Sequence, residues 1–487
     1  MADFKKNRGF SGGSRNDSRG RSKQARVSKA RTVAFETLLK VDVEDAYANI
    51  VLPKAITEAN LDSRDASFAT ELVYGTLRNL ARVDWVIEQC MPKKIADLDP
   101  EVRAILRLTA HQILHLRVPD HAAVAESVEL TKHVAGFGVE KFVNGVARAM
   151  VEHTPGEWER RIKTIDANVT RVSVLYSHPE WIVRAFAQAL QAHGRNPKEL
   201  TALLKADNDN PKVMLCARPG QILPVELADD AERYLDAEVA PGAYSEWSVA
   251  ITHGDPGKLA AVCHGAAAVQ DEGSQLVASA LAELDLANDN GKWLDMCAGP
   301  GGKAGLVAAY AQLAGATLLA NEVSAHRAHL VEQTVREFDN VEVIVGDGRK
   351  IAEKGKFSRI ILDAPCSGLG ALRRRPESRW RRQPNDLNGL IKLQAELLEA
   401  GIDALEKDGV LAYITCSPHE SETVKQIQRI AGRDDIKILD SKAAVEKVSM
   451  SEIELSATPI GNGNSVQLWP HLHTTDAMFL CLIQKVK

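Results

Sequence analysis

The chain has 487 residues, a formal net charge of −5 and 45% hydrophobic residues. At roughly 100–200 residues per domain, this length is enough for two to four domains. The hydrophobic share is ordinary for a soluble protein with apolar cores. No stretch approaches the roughly 18 uninterrupted apolar residues that a membrane helix needs, and no apolar segment follows the basic N-terminus as in a secretory signal. These features argue against a membrane-spanning or secreted protein.

The seven cysteines are scattered along the chain and include no CxxC pair. An odd, unpaired set predicts neither a disulfide framework nor a bound metal, and it is typical of a protein of the reducing cytoplasm. Each cysteine is therefore either a small buried apolar residue or a reactive thiol.

Positive charge is concentrated at the N-terminus, where residues 1–31 contain ten lysines and arginines and only two aspartates. The segment is rich in glycine, serine and asparagine and has few apolar residues to bury, so we predict a disordered basic tail over residues 1–29. Two interpretations of this tail stay open. It is either a solubilising segment or an arm that binds a polyanion such as nucleic acid.

Two segments of different periodicity follow the tail. Residues 30–165 are helical throughout, as the spacing of Val102, Ile105 and Leu106 illustrates, and this predicts an all-α domain of five to seven helices. Residues 166–290 begin with helical stretches and then become loop-rich, which predicts a linker and a small α+β domain. The strands predicted there are residues 213–217, 247–251 and 260–263.

In residues 291–487 strands and helices alternate, which predicts a mostly parallel sheet with helices on both faces. Ligands of such folds bind at the carboxyl ends of the strands, so chemistry is expected there. The predicted strands are residues 293–297, 316–321, 341–345, 360–362, 410–415 and 478–483, and the predicted helices are residues 304–313, 325–338 and 387–405.

A glycine-rich turn follows the first of these strands and leads directly into a helix. Such a turn lets backbone N–H groups approach a ligand. The pattern is neither GxGxxG nor a Walker loop, which favours a nucleoside-containing cofactor other than a dinucleotide or triphosphate; a tight turn without a ligand is the alternative. The turn consists of Cys297, Ala298, Gly299, Pro300, Gly301, Gly302 and Lys303.

Two acids end the next two strands. Glu322 lies about 20 residues beyond the turn, where an acid accepts hydrogen bonds from ribose hydroxyls; alternatively it is a favourable charge at a helix N-terminus. Asp347, between two glycines, is suited to an adenine amino group, or is a turn former.

Two cysteines end the fourth and fifth strands: Cys366, shortly after Asp363, and Cys416. Cysteines in such equivalent positions are poorly explained as core residues. A thiolate that adds to carbon 6 of cytosine turns carbon 5 into a nucleophile able to take a methyl group, and a second thiol and an acid can assist product release. This pattern indicates methylation of a pyrimidine base.

Six arginines and a tryptophan lie in the ten residues between these cysteines that start at residue 373. Arginine forks bind phosphate and tryptophan stacks on bases, so we predict an RNA-binding loop; a surface basic patch paired with Glu377 or Asp386 is the alternative. The predicted RNA-binding residues are Arg373, Arg374, Arg375, Arg379 and Trp380.

Residues 295–303, 363–368 and 415–417 resemble three signature motifs of the RNA 5-methylcytosine methyltransferases, in particular the bacterial 16S ribosomal RNA enzymes of the Fmu/Sun type. Residues 30–165 resemble their NusB-like domain, notably at residues 71–75 and 140–146. The resemblance continues at residues 176–181 and 270–274, so it covers nearly everything after the basic tail.

The resemblance implies a multidomain fold: an N-terminal all-α NusB-like RNA-binding domain, a small α+β middle domain and a C-terminal α/β Rossmann-like class I methyltransferase domain over residues 291–487. It implies S-adenosylmethionine as cofactor and 16S ribosomal RNA as partner, and we expect a cytoplasmic monomer without metal. The turn of residues 297–303 would hold the methionine part, Glu322 the ribose and Asp347 the adenine.

The same resemblance implies the catalytic roles. Asp363 would lie between cofactor and target base, Cys416 would be the nucleophile, and Cys366 would help to release the product. Two residues depart from the usual pattern, because Gly299 stands where alanine is common and Glu322 where aspartate is common.

Three other functions are alternatives. A transfer RNA methyltransferase would use the same chemistry, and the sequence does not separate it from a ribosomal RNA enzyme. An RNA-binding protein with a relic catalytic domain would not need both Cys366 and Cys416. A nicotinamide oxidoreductase is disfavoured by the missing GxGxxG motif.

Overall fold

The computed structural model of the protein describes residues 27–136 and 138–487. The predicted disordered tail over residues 1–29 therefore falls almost wholly outside the described residues. Within them, no helix combines the length and apolar character required to cross a membrane.

The N-terminal part of the described chain is all-α, as predicted, with eight α-helices up to Lys163 instead of five to seven. The helices pack around α5, whose predicted apolar face, including Ile105 and Leu106, is buried. The last helix starts at a capping box, in which Thr154 and Glu157 satisfy each other's backbone N–H groups. The helices are α1 (Lys29–Val43), α2 (Ala48–Glu58), α3 (Ser63–Arg78), α4 (Leu80–Gln89), α5 (Pro100–His115), α6 (Asp120–Val134), α7 (Val139–Val151) and α8 (Pro155–Lys163).

Three helices lead into a middle unit with a four-stranded antiparallel sheet of order β2-β3-β1-β4. Its chain order is strand, helix, two strands, helix, strand, the split βαβ arrangement. The predicted strand at residues 260–263 is a helix, because four apolar residues do not by themselves distinguish the two structures. The elements are α9 (Asn168–Tyr176), α10 (Glu180–Ala192), α11 (Leu200–Ala206), β1 (Val213–Ala217), α12 (Pro224–Leu235), β2 (Val239–Pro241), β3 (Ser248–Ile251), α13 (Ala260–Cys263) and β4 (Ala267–Val269).

The C-terminal part contains a nine-stranded sheet, in which each of the six predicted strands is found and three further short strands lie near the C-terminus. Its elements are α14 (Glu272–Ala282), β5 (Lys292–Asp295), α15 (Gly302–Leu313), β6 (Thr317–Glu322), α16 (Ala325–Val335), β7 (Val341–Val345), β8 (Phe357–Asp363), α17 (Ser378–Arg381), α18 (Asp386–Ala404), β9 (Leu405–Thr415), α19 (Val424–Ile430), β10 (Ile436–Ile438), α20 (Ser441–Val448), β11 (Ala457–Ile460), β12 (Gly463–Gln467), α21 (Pro470–His473) and β13 (Phe479–Lys485).

The strand order β7-β6-β5-β8-β9-β13 reverses direction at β5, which pairs in parallel with both β6 and β8. Strands β5 to β9 are parallel, and β13 closes this side of the sheet antiparallel to β9. The point where strand order reverses is the ligand site of doubly wound sheets. All of the predicted cofactor and catalytic residues lie at or just beyond the carboxyl ends of these parallel strands.

Helix α14 joins the two sheets. Every one of its residues is buried, and Gln275 donates hydrogen bonds to the carbonyl of Leu215 and to Ser248 on the middle sheet. Cys216 of the same sheet packs with Leu276 in the core of the C-terminal sheet. Helix α14 therefore packs against the face of the middle sheet opposite α12.

Candidate active site

The glycine-rich turn between β5 and α15 adopts a conformation that depends on Gly301. This residue has a φ of 115°, a region that residues with a Cβ rarely occupy. A Cβ at this position would also lie 2.8 Å from the Cβ of Thr334 on α16. The turn therefore packs closely against the neighbouring helix and places the N-terminus of α15 at the edge of the sheet.

Glu322 closes the turn from the neighbouring strand β6. Its side chain is only 1% exposed. One carboxylate oxygen accepts from the N–H of Gly299 at 3.1 Å, and the other accepts from the N–H of Ser324 at 2.9 Å and from Arg327 at 2.6 Å. The predicted ribose-binding acid is thus held rigidly against the turn.

Asp347 lies at the start of the loop after β7 and is half-buried. Its carboxylate accepts from the backbone N–H of Arg349 at 3.0 Å and from the guanidinium of the same residue. These bonds hold the pKa of Asp347 below its usual range. Asp347 therefore carries a negative charge at the rim of the site, two strands away from β5.

Asp295, the last residue of β5, is a second buried acid at the turn and, like Glu322, is 1% exposed. One oxygen accepts from the N–H of Cys297 at 3.2 Å; among the described residues the other has no hydrogen-bond partner. Burial, together with the charge of Asp363, raises the pKa of Asp295 to about 8. Sequence reasoning assigned no role to this carboxyl group.

Lys303 and Asp363 form an ion pair of 2.9 Å across the carboxyl ends of β5 and β8. Burial disfavours the charged amine, but the charge and hydrogen bond of Asp363 outweigh burial, so the pKa of Lys303 is raised. Lys303 was predicted as part of the cofactor turn; the structure instead directs its amine to the predicted catalytic acid. The Asp363 side chain keeps 30% of its surface exposed and faces the site.

The two predicted catalytic thiols meet. Strands β8 and β9 are parallel neighbours with Asp363 opposite Ile414, and the Sγ atoms of Cys366 and Cys416 are 3.3 Å apart. The hydrogen bond to Cys416, and then burial, raise the pKa of Cys366 well above its usual range. Both influences favour the protonated form of the Cys366 thiol.

The chain matches two protein families along its length. The 16S rRNA methyltransferase RsmB/F family matches residues 282–484, and the NusB family matches residues 28–152. A Mycobacterium tuberculosis protein named only as a methyltransferase is 43% identical over 462 residues, which cover 94% of this chain and 97% of that protein. The chain belongs to the RsmB/F methyltransferase family. It is therefore an RNA methyltransferase, and the predicted family and NusB-like domain are confirmed.

A more distant relative carries a name of the same family, and two solved structures share the fold of this chain. The ribosomal RNA small subunit methyltransferase B of Cronobacter sakazakii is 28% identical and covers 85% of this chain and 93% of its own. The crystal structure of PH0851 superposes with a TM-score of 0.77 at 20% identity, over 94% of this chain and 98% of that one. That of NSun6 from Pyrococcus horikoshii with SFG gives 0.51 at 18% identity, over 64% and 100%. The predicted fold class is confirmed.

Two arginines of the predicted RNA-binding loop form ion pairs inside the protein. Arg373, 6% exposed, and Arg374 both pair with Asp271 and Asp476, at N–O distances between 2.7 and 3.4 Å. Arg375, by contrast, is exposed. The first part of the loop is therefore mainly an internal ion-pair cluster, and RNA binding remains a prediction for Arg375.

The second part of the loop docks on the NusB-like domain and does not form a free RNA-binding surface. Arg379 is fully buried and donates to the carbonyl oxygens of Arg78, Ser177 and Asp207. Trp380 donates to the carbonyl of Leu77 at 3.3 Å. Cationic and N–H groups stabilise the unpaired carbonyls at the end of helix α3, which explains why these residues point inward.

His471 and His473, two histidines near the C-terminus, bond to protein groups. His471 pairs with Glu199 at 3.0 Å, and His473 contacts the N–H of Trp469 and the carbonyl of Glu454. Across residues 27–136 and 138–487, no cluster of three or more metal-ligating side chains is found.

Gly299 lies so close to Glu322 that a side chain at residue 299 has no room. A Cβ at Gly299 would lie 2.5 Å from a carboxylate oxygen of Glu322. We therefore expect Gly299→Ala to destabilise the protein by about 1–3 kcal/mol through overpacking, and Glu322→Asp to recover part of this loss in the double variant. A double-mutant cycle of denaturant unfolding measures the coupling. Strictly additive effects would contradict the steric explanation.

Asp295 should make stability depend on pH. Because its pKa is raised from 3.8 to about 8, the folded state binds this proton more tightly than the unfolded state does. Its stabilising contribution is complete below the unfolded pKa and is lost as pH rises through about 8. Denaturant unfolding at about pH 5 and about pH 8.5 should show a smaller change for Asp295→Asn than for wild type. If the free energy of unfolding changes equally with pH in both proteins, Asp295 does not cause the pH dependence.

Arg379 and Arg375 should separate structure from RNA binding. We expect Arg379→Ala to lower stability by about 3 kcal/mol or more, since buried acceptors lose their donor. Arg375→Ala should leave stability unchanged and reduce the slope of log affinity against log salt by about 1. Thermal unfolding and RNA-binding titrations at several salt concentrations test both. A stable Arg379→Ala variant with weakened RNA binding would instead support the prediction that Arg379 binds RNA.

Proposed function

We propose that the chain transfers a methyl group from S-adenosylmethionine to carbon 5 of a cytosine in 16S ribosomal RNA, with Cys416 bound covalently to carbon 6 during the reaction. The observation that carries this proposal is the 3.3 Å separation of the Cys366 and Cys416 sulfurs at the carboxyl ends of β8 and β9. Membership in a 16S rRNA methyltransferase family supports the choice of RNA.

The residues at the edge of the sheet fit the proposed cofactor. Asp295 has a buried carboxylate oxygen without a partner among the described residues, and a positively charged ligand would stabilise its ionised form. Glu322 would hold the ribose, Asp347 the adenine, and the backbone of residues 297–302 the methionine part. When bound, S-adenosylmethionine supplies a methyl group on a sulfonium.

Cys416 begins the reaction. Its thiolate forms a bond to carbon 6, and the electron pair of the carbon 5–carbon 6 double bond makes carbon 5 the nucleophile. Carbon 5 would then form a bond to the methyl group that S-adenosylmethionine supplies, and the broken carbon–sulfur bond would leave its electron pair on the sulfur. The Lys303–Asp363 ion pair, between the turn and the thiols, would orient the ring.

Product release needs the loss of the carbon 5 proton and of the sulfur–carbon 6 bond. The partly exposed carboxylate of Asp363 is placed to take the proton. Cys366, which keeps its proton because its pKa is raised, would donate an S–H hydrogen bond to the departing Cys416 thiolate. The ring double bond reforms as Cys416 leaves, and both thiols return to their starting state.

The cysteine roles predict opposite phenotypes. With tritiated S-adenosylmethionine and 16S ribosomal RNA from a strain lacking the enzyme, wild type should form 5-methylcytosine, and Cys416→Ala should lose about 1,000-fold or more of the rate. Cys366→Ala should accumulate a covalent protein–RNA adduct, visible by denaturing electrophoresis. The exposed Cys263 supplies the control, because Cys263→Ala should retain turnover. An adduct with Cys416→Ala would reverse the assignment, and labelling of transfer RNA instead would change the substrate.

A further inference from the structure

Both cysteines are followed by a serine, Ser367 after Cys366 and Ser417 after Cys416. Both serine side chains are buried, and their hydroxyl oxygens are 3.2 Å apart. The two thiol-bearing loops therefore meet a second time, one residue beyond the sulfurs. The proposed reaction assigns no role to this contact.

The carboxylate of Glu422, which is 0% exposed, holds these serines together. One of its oxygens accepts from the backbone N–H of Ser367 at 2.8 Å and from Gln394 at 3.1 Å. The other accepts from the hydroxyls of Ser367 and Ser417, at 2.5 and 2.7 Å. A single buried carboxylate thus bonds to both thiol-bearing loops.

The hydrogen bonds of Glu422 extend to the residue before Cys366. Gln394 of helix α18, which donates to Glu422, also donates to the carbonyl of Pro365 at 2.8 Å. No lysine or arginine among the described residues forms an ion pair with Glu422. A buried carboxylate without a cation is stabilised by its hydrogen bonds, so the hydroxyls and the amide are held firmly in place.

We propose that Glu422 is a positioning residue whose carboxylate sets the distance between the sulfurs of Cys366 and Cys416. The inference rests on the proposed function only for its catalytic consequence, since the geometry concerns the thiols themselves. Charge-assisted hydrogen bonds are short and directional. Losing them would let the two loops separate by more than the S–H···S contact tolerates.

The main chain around Glu422 is held independently of its carboxylate. Tyr413 donates to the Glu422 carbonyl at 2.9 Å. His193, directly after α10, contacts the carbonyl of Pro418 and the hydroxyl of Thr423, at 3.2 and 3.1 Å. We therefore expect Glu422 variants to fold and to bind cofactor.

The test measures thiol geometry apart from catalysis. Diamide oxidises two close thiols to a disulfide and is itself reduced to a hydrazine, and the rate depends on how readily the sulfurs adopt disulfide geometry. The variants are Glu422→Ala and Glu422→Gln. Glu420→Ala is the matched control, since Glu420 lies on the same loop and pairs with Lys425 on the outer side.

We expect Glu422→Ala to slow formation of the Cys366–Cys416 disulfide by about 10-fold, because this bond forms only within a narrow geometry. We expect kcat to fall by about 100-fold, as for a misplacement of about 1 Å, with little change in the KM for S-adenosylmethionine. Glu422→Gln should fall between wild type and Glu422→Ala, and Glu420→Ala should match wild type.

Wild-type disulfide rates in folded Glu422→Ala would overturn the proposal. If Glu422→Ala does not fold, Ser417→Ala and Ser367→Ala provide the comparison, and wild-type rates in both would equally overturn it. If wild type methylates no RNA, the proposed function fails, while the disulfide rates still decide whether Glu422 positions the thiols.

Discussion

The parallel pairing of β8 with β9 is the constraint on which the site depends. A cysteine follows each strand, Cys366 in the loop after β8 and Cys416 directly after β9, and the register of the strands brings the two sulfurs to 3.3 Å. A one-residue slip would turn each side chain of a strand to the opposite face of the sheet and separate the thiols. The antiparallel strand β13 pairs with six consecutive residues of β9 and fixes its position from the other side. The rest of the site consists of the glycine-rich turn, the Lys303–Asp363 ion pair and the Glu422 carboxylate, which all lie beside these two strand ends.

The loop between the cysteines connects this edge to the rest of the molecule. It leaves β8, forms the ion-pair cluster of Arg373 and Arg374 with two aspartates, and then inserts Arg379 and Trp380 at the end of helix α3. Glu377 also accepts from the first N–H of α2, at Ala48. The basic side chain thus lies at the C-terminus of α3 and the acid at the N-terminus of α2. Each charge has the sign that stabilises that end of its helix dipole. The NusB-like domain is thus docked directly on the segment that follows Cys366.

Much of the fold follows from local pattern. The alternation of strands and helices, the all-α character before residue 165 and the six main strands all appear in the periodicity of the chain. The predicted strand at residues 260–263 was wrong because its pattern was short, and the number of helices before residue 165 was underestimated. The glycine-rich turn, Glu322, Asp363 and both cysteines were found at strand ends, because parallel strands share one carboxyl edge. Their functional roles remain the proposal.

The sequence by itself therefore determined the class of protein, the order of its domains and the placement of two cysteines near the ends of neighbouring strands, since these depend on motifs and local periodicity. Only the tertiary structure decided where the arginines point, that Lys303 pairs with Asp363, that α14 packs against the middle sheet and that Glu422 joins both cysteine loops. These contacts join residues up to hundreds of positions apart, as Arg379 and Arg78 show. Charge and composition are the same for an arginine that binds RNA and for one that caps a helix, and the difference lies in what packs around it.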